Sequence, residues 1–267
     1  MNGDTGINLN CKSTGQGPDV VILHGLFGDL NNWRAQSERL SEQYHVHSMD
    51  LRNHGSSPHA AGMTYKLLAA DVASTCESLG IKKIHLIGHS MGGKTAMQIS
   101  MDYPDLVERL IVVDIGPRRY AHGHTSIIEG LKLLASSTLS SRQQANELLI
   151  PFAPDNGIRS FLLKNLQRNS DGNYELRINI EEIASQYDAI ADGITPGTIF
   201  DRPVLLIKGA ESDYLTDRDR EPIAKLFNNT SLKIIDGAGH WPHSEKPEVV
   251  YKILADFLAA GASNSSA

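Results

Sequence analysis

Cysteine is scarce in this chain: two, Cys11 and Cys76, among 267 residues. Two thiols are too few for a disulfide framework. Cys11 sits in an alternating segment and Cys76 on a helical face, so both are expected to be buried and free. Long apolar runs are missing too. No uninterrupted stretch approaches the ~18 residues of a membrane span, so none is expected. The opening "MNGDTGINLNCKS" is polar and has no apolar signal core, which makes a cytoplasmic location the expectation. A basic excess is also absent: 25 Lys and Arg stand against 31 Asp and Glu, a net charge of -6. A phosphate backbone asks for a basic face, so nucleic acid is disfavoured as the main partner. No charge run reads as a tail, and no repeat or low-complexity segment occurs before the closing "GASNSSA", which is expected to fray.

What is present suits a globular chain. Hydrophobic residues make up 40% and charged residues 21%, enough for one sizeable core carrying an insertion. Short apolar runs alternate with helical patterns. "INLNCKS" alternates like a strand and leads through "TGQGPD" into "VVILHG", which reads as a hairpin feeding a buried strand. "YHVHSMD" follows, then a helix over residues 65–79. Thr64 caps it, Leu68, Val72, Cys76 and Leu79 share a face, and Gly80 ends it. "KKIHLIG" is a strand, the segment after Ser90 a helix stopped near Pro104, and "RLIVVD" another strand. This alternation predicts an α/β protein with a mostly parallel, doubly covered sheet.

After Asp114 the alternation breaks. Residues 117–200 hold helical stretches ("SIIEGLKLLA", "SRQQANELLI", "IRSFLLKNLQR", "IEEIASQYDAIA") and only "YELRIN" as a strand candidate. "RPVLLIKG" and "SLKIIDG" then restore the strand pattern, and "EVVYKILADFLAA" closes with an amphipathic helix. The expected domains are a core of residues 1–116 and 201–267 and a helical cap of 117–200. The cap would lie over the carboxyl ends of the strands, where open α/β sheets place ligands.

Within "IHLIGHSMGGKTAM", Gly88-His89-Ser90-Met91-Gly92 matches G-x-S-x-G. A six-residue apolar strand runs into it and a helix follows at once. Such a bend strains the serine backbone, and small residues two before and two after let strand and helix approach closely. The bend lifts the Ser90 hydroxyl and turns the Met91 amide toward charge forming on a bound carbonyl. Serine needs a base to act at neutral pH. Of 11 histidines, His240 in "IIDGAGHWPHSEKP" fits best, because a glycine-rich loop after the last strand can swing it over the sheet. His243 reads as loop packing. Two aspartates qualify to orient His240: Asp114, which closes "LIVVD", and Asp213, one residue later than the usual acid position, which Ser212 fills. Asp114 is preferred and Asp213 stays as the alternative. His45 and His47, and His122 and His124 around Gly123, lack a carboxylate or cysteine at metal-ligand spacing, so no metal site is expected.

These residues resemble the α/β-hydrolase superfamily over nearly the whole chain. "VVILHGLFGD" is similar to its oxyanion loop, "GHSMGG" to its nucleophile elbow and "GAGHWPHSEKP" to its histidine loop. "DLRNHGSSP", "GHSMGGK", "VDI" and Ser212 resemble the YbfF-type esterases in particular. The resemblance implies a three-helix cap, esterase or thioesterase activity and Asp114 as the acid. It also implies the Leu26 amide as second oxyanion donor beside Met91, with His24 and Gly25 shaping that loop. Phe27, with His89, Ser212 and Trp241, is expected in the substrate pocket. "RNHGSS" is taken as structural, with Arg52 paired nearby and Gly55 making a turn. Lys94 is expected to pack with a solvated head rather than meet an acidic substrate or the cap. Arg118, Arg119 and Tyr120 could meet an anionic substrate tail, but are read as an exposed hinge.

The expected function is hydrolysis of carboxylic esters or thioesters of short to medium acyl chains, with no cofactor and a small-molecule substrate as partner. Carbon–carbon bond hydrolysis, lactone opening and perhydrolysis are the enzymatic alternatives. A non-catalytic receptor is the alternative from another class.

Overall fold

The computed structural model describes residues 6–260; the closing "GASNSSA" and the first five residues lie outside them. Seven strands form the main sheet: Cys11–Thr14 (β1), Asp19–Leu23 (β2), His45–Met49 (β3), Ile84–His89 (β4), Val107–Val113 (β5), Val204–Gly209 (β8) and Thr230–Ile235 (β9). Their order is β1-β3-β2-β4-β5-β8-β9. All pairings are parallel except that of β1 with β3. Period-two alternation splits the apolar side chains between the faces. Val21, Leu23, Leu86 and Leu110 pack with Leu68, Val72 and Met97 on one side. Val20, Ile22, Ile87 and Ile111 pack with Leu40, Val250 and Leu254 on the other. The first side is covered by Tyr65–Ser78 (α2) and Met91–Asp102 (α3), the second by Arg34–Leu40 (α1) and the closing helix Pro247–Ala259.

Several expectations are corrected. β1 and β2 do not form a hairpin; they flank β3 on opposite sides. The loop between them crosses directly over the chain entering β3. A Cβ on Gly15 or Gly17 would come within 2.3 or 2.5 Å of the Tyr44 or Gln43 carbonyl oxygen, so the crossing needs glycine there. Cys76 is buried, but Cys11 is only half-buried on this edge strand. Thr64 does cap α2, yet Leu79 is 48% exposed, because it falls at the C-cap, past the packed face.

Between β5 and β8 the chain makes an inserted, mainly helical region. It holds five short helices rather than three: Thr125–Ala135 (α4), Arg142–Leu149 (α5), Asn156–Leu162 (α6), Ile180–Ser185 (α7) and Tyr187–Ala191 (α8). Leu166–Arg168 (β6), read from sequence as the tail of a helix, pairs antiparallel with Tyr174–Leu176 (β7). The Asn169 side chain accepts from the Asp171 and Asn173 amides and turns the chain between them. The region is tied to the loops at the carboxyl ends of the strands: Arg177 to Asp29 at 2.7 Å, the Gly62 amide to Glu182 at 2.7 Å, and Tyr65 to the Ile190 carbonyl at 2.6 Å.

Candidate active site

β4 runs into α3 through Ser90, held at φ 53° and ψ −118°. A Cβ at Gly88 would sit 2.2 Å from the Gly92 carbonyl oxygen, and one at Gly92 would sit 2.4 Å from that of His24. Only glycine permits that approach. Four non-glycine residues among the described ones have positive φ: Phe27, Asn53, Ser90 and Asp114. Such backbone costs of order 1–3 kcal/mol per residue and persists only where its surroundings enforce it. Three of the four meet at one point, and Asn53 lies next to the histidine that supports the first.

Ser90 Oγ lies 3.0 Å from His240 Nε2, and His240 Nδ1 lies 2.8 Å from Asp114 Oδ2. Asp114 is fully buried. Its Oδ1 accepts the Gly209 amide at 3.1 Å, and its Oδ2 also accepts the Ser212 hydroxyl. Ser212, at the position of the usual acid, therefore lies behind the pocket wall as a donor to Asp114, a correction to its expected lining role. Asp213 is exposed and makes no hydrogen bond to His240. Tyr214 stacks on the His240 ring, with centroids 3.7 Å apart. Glu245 accepts the Gly239 and Trp241 amides on either side of His240. His89 donates from Nε2 to the His240 carbonyl at 2.7 Å, and burial holds its imidazole well below the usual pKa, hence neutral.

Leu26 and Met91 line the same chamber beside Ser90, and neither amide donates to another group among the described residues. The loop carrying Leu26 is braced from both sides. Phe27 N–H donates to His54 Nε2 at 3.2 Å, and the Phe27 carbonyl accepts from Asn165 Nδ2 at 2.8 Å. His54 donates from Nδ1 to the Arg52 carbonyl, and burial pushes its pKa down to about 3. Arg52 forms a two-pronged pair with Asp71 at 2.6 and 2.7 Å, and Asp50 accepts the Leu30 and Ser56 amides. "DLRNHGSSP" is thus the brace of the loop that carries Leu26. His24 is corrected in the same way: it lies beneath the loop, accepting the Leu51 amide at Nε2 and donating to the Gly25 carbonyl.

Two chambers meet at Ser90. The larger, about 550 Å³, is bounded by Gly25, Phe27, His89, His240, Trp241 and Phe161 among others. The smaller, about 310 Å³, holds Leu26, Met91, Tyr65, Tyr120, Lys94 and Arg118. His124, considered in the sequence only as a metal ligand, lines both; burial lowers its pKa to about 4, and its Nδ1 lies 2.8 Å from the Tyr187 hydroxyl. The expected solvated head of Lys94 is wrong, since the residue is 1% exposed. Arg119 is exposed and pairs with Asp188, while Arg118 reaches the smaller chamber. At the opposite edge of the sheet, pairing of β2 with β3 brings Asp19 to His45 and His47, the carboxylate that sequence spacing did not offer. Its Oδ1 lies 3.1 and 2.9 Å from their ring nitrogens.

A strained serine between strand and helix, an imidazole and buried carboxylate behind it and two open amides beside it define an α/β-hydrolase site. The alpha/beta hydrolase fold family matches residues 18–247, and the chain belongs to that family. It is 33% identical to esterase YbfF of Escherichia coli (strain K12) over 240 residues, 90% of this chain and 92% of that one. It is 34% identical to the sn-1-specific diacylglycerol lipase ABHD11 of Mus musculus over 250 residues, 91% and 81% of the two. A solved marine microorganism esterase superposes with a TM-score of 0.90 at 37% identity, covering 94% of this chain and 99% of that one. The protein is an esterase/lipase-type hydrolase. Among the described residues no helix is long and apolar enough to cross a membrane.

Proposed function

We propose that the chain hydrolyses carboxylic esters, and thioesters by the same route, of short to medium acyl chains through an acyl-enzyme. Ser90 is the nucleophile, His240 the base and Asp114 the acid that orients it. The observation that carries this reading is the unbroken relay from Ser90 Oγ to His240 at 3.0 Å and on to Asp114 at 2.8 Å. His240 takes the hydroxyl proton as the Ser90 oxygen bonds to the carbonyl carbon. The oxyanion is held by the Leu26 and Met91 amides, each worth ~3 kcal/mol in comparable sites. The carbon–oxygen or carbon–sulfur bond breaks, and the alcohol or thiol leaves with the proton from His240. Water, deprotonated by His240, then releases the acid and restores Ser90. Every proton and electron pair is handled by these residues and water. Residues 117–200 act as a cap whose side chains complete both chambers.

The test is a panel of nitrophenyl esters and acyl-coenzyme A thioesters with Ser90→Ala as control. Multiple turnovers lost in the variant, with thermal unfolding nearly unchanged, are expected. Persisting turnover in Ser90→Ala removes the nucleophile assignment, and tight binding without turnover in the native chain favours a receptor.

A further inference from the structure

Lys94 is a buried amine whose surroundings do not account for it, and burial lowers its pKa to about 7. It follows Ser90 by one turn of α3 and is 1% exposed. Its ammonium has three donors, and its one hydrogen bond among the described residues is to the Asp192 carbonyl, at 2.5 Å. It lies 4.6 and 5.2 Å from the ring centroids of Tyr120 and Tyr65. No carboxylate comes within ion-pair distance of it among the described residues, although such pairing is the usual condition for burying a charge. The other deeply buried cations are provided for: Arg52 by Asp71, and Arg159 by the Ala153 and Pro154 carbonyls and two asparagine side chains.

Lys94 also faces a cavity. It lines the smaller chamber together with Ser90, Leu26 and Met91. Arg118 lines the same space. Its Nε is 3.0 Å from Asp219 Oδ1, yet the pair lacks hydrogen-bond geometry and both atoms are left without a hydrogen bond. Asp213, which is exposed, is the carboxylate that lines the chamber with them, and Asp219 lies against Arg118.

The two sides of the site have different duties. His240, which must protonate the departing alcohol, borders the larger chamber and not the smaller one. The leaving group therefore exits through the larger chamber, and the acyl chain extends into the smaller one toward Lys94. We propose that the smaller chamber is an acyl subsite for a carboxylate-ended chain, with Lys94 and Arg118 as its anchors, so that the preferred substrate is a monoester or monothioester of a short dicarboxylic acid. This rests on the serine-esterase reading above.

The experiment compares monoethyl esters of succinate, glutarate and adipate with neutral ethyl esters of equal acyl length. The native protein is expected to favour the best acidic ester by at least about tenfold in kcat/KM, the scale of one charge-assisted hydrogen bond. Equal or better turnover of the neutral esters across the series overturns the subsite and leaves the esterase reading intact. Absence of turnover on every ester removes both together. In Lys94→Met the acidic-to-neutral ratio should fall about tenfold, chiefly through KM, and Lys94→Arg should restore part of it; an unchanged ratio refutes the anchor. Because Lys94 is buried, the native protein supplies a measurement independent of variants. Free glutarate should inhibit competitively at least about tenfold better than pentanoate, and equal inhibition counts against the proposal.

Discussion

The chambers on either side of Ser90 are built from opposite materials. The larger is walled mainly by aromatic and aliphatic side chains and by imidazoles that burial keeps neutral, His89, His124 and His243, with Lys164 and Glu245 as its charged residues. The smaller carries Arg118 and Lys94, whose pKa burial lowers to about 7, beside tyrosine rings and the exposed Asp213. A mainly apolar wall accepts an alcohol by area and shape, with little discrimination per methylene. A buried cation discriminates by charge and strongly penalises a chain that leaves it unpaired. Selectivity for the acyl part and tolerance for the alcohol part are therefore expected in one enzyme.

The largest break in this comparison comes from removing the chemistry the chambers share. Asp114→Asn should lower kcat by roughly 10³- to 10⁴-fold, because His240 loses the carboxylate that fixes its tautomer. Asp213→Asn should change turnover of a neutral ester by less than about twofold, as expected for an exposed side chain off the relay. Steady-state kinetics of both variants checks this, and the reverse ranking makes Asp213 the acid. His54→Gln comes next. It loosens the brace on Phe27 without touching substrate, so kcat should drop about ten- to a hundredfold with KM little changed, below the cost of deleting an oxyanion donor outright. A loss confined to KM contradicts the bracing role. Phe161→Ala should then cost about tenfold in kcat/KM for esters of bulky alcohols and leave acyl preference unmoved. A shift in acyl preference instead reverses the assignment of the chambers.

Legibility in the sequence follows the same division. The core was readable because buried parallel strands print as apolar runs and because the elbow needs glycine at fixed positions. Ser90 and His240 could be named for that reason. Asp114 is preferred over Asp213 from the sequence, and the fold places its carboxylate beside His240 with the Ser212 hydroxyl donating to it. His54 and Asn165 stayed hidden because their roles depend on a positive-φ residue more than twenty positions away. The inserted region was the least legible, since β6 exists only by pairing with β7 and carries a helical pattern of its own. Lys94 was misread because its depth depends on α8 and the turn after it, which one helix face does not reveal.

The smallest effect concerns the neutral imidazoles of the larger chamber and its brace. Burial holds His54 and His243 down at about 3 and His124 at about 4, against an ordinary 6.5. Between those values the unfolded chain binds protons that the folded one refuses. Their contribution to stability is complete above pH 6.5 and is lost as pH falls toward 4 and then 3, by at most ~1.4 kcal/mol per group per pH unit. A thermal scan should thus be flat from pH 8 to 7 and fall by a few degrees from pH 6.5 to 5.5. His243→Phe, which keeps the stack on Trp33 now at 4.3 Å, should flatten part of that slope. A flat profile in the native chain would mean that these rings tolerate protonation, and the larger chamber would then gain positive charge as pH falls.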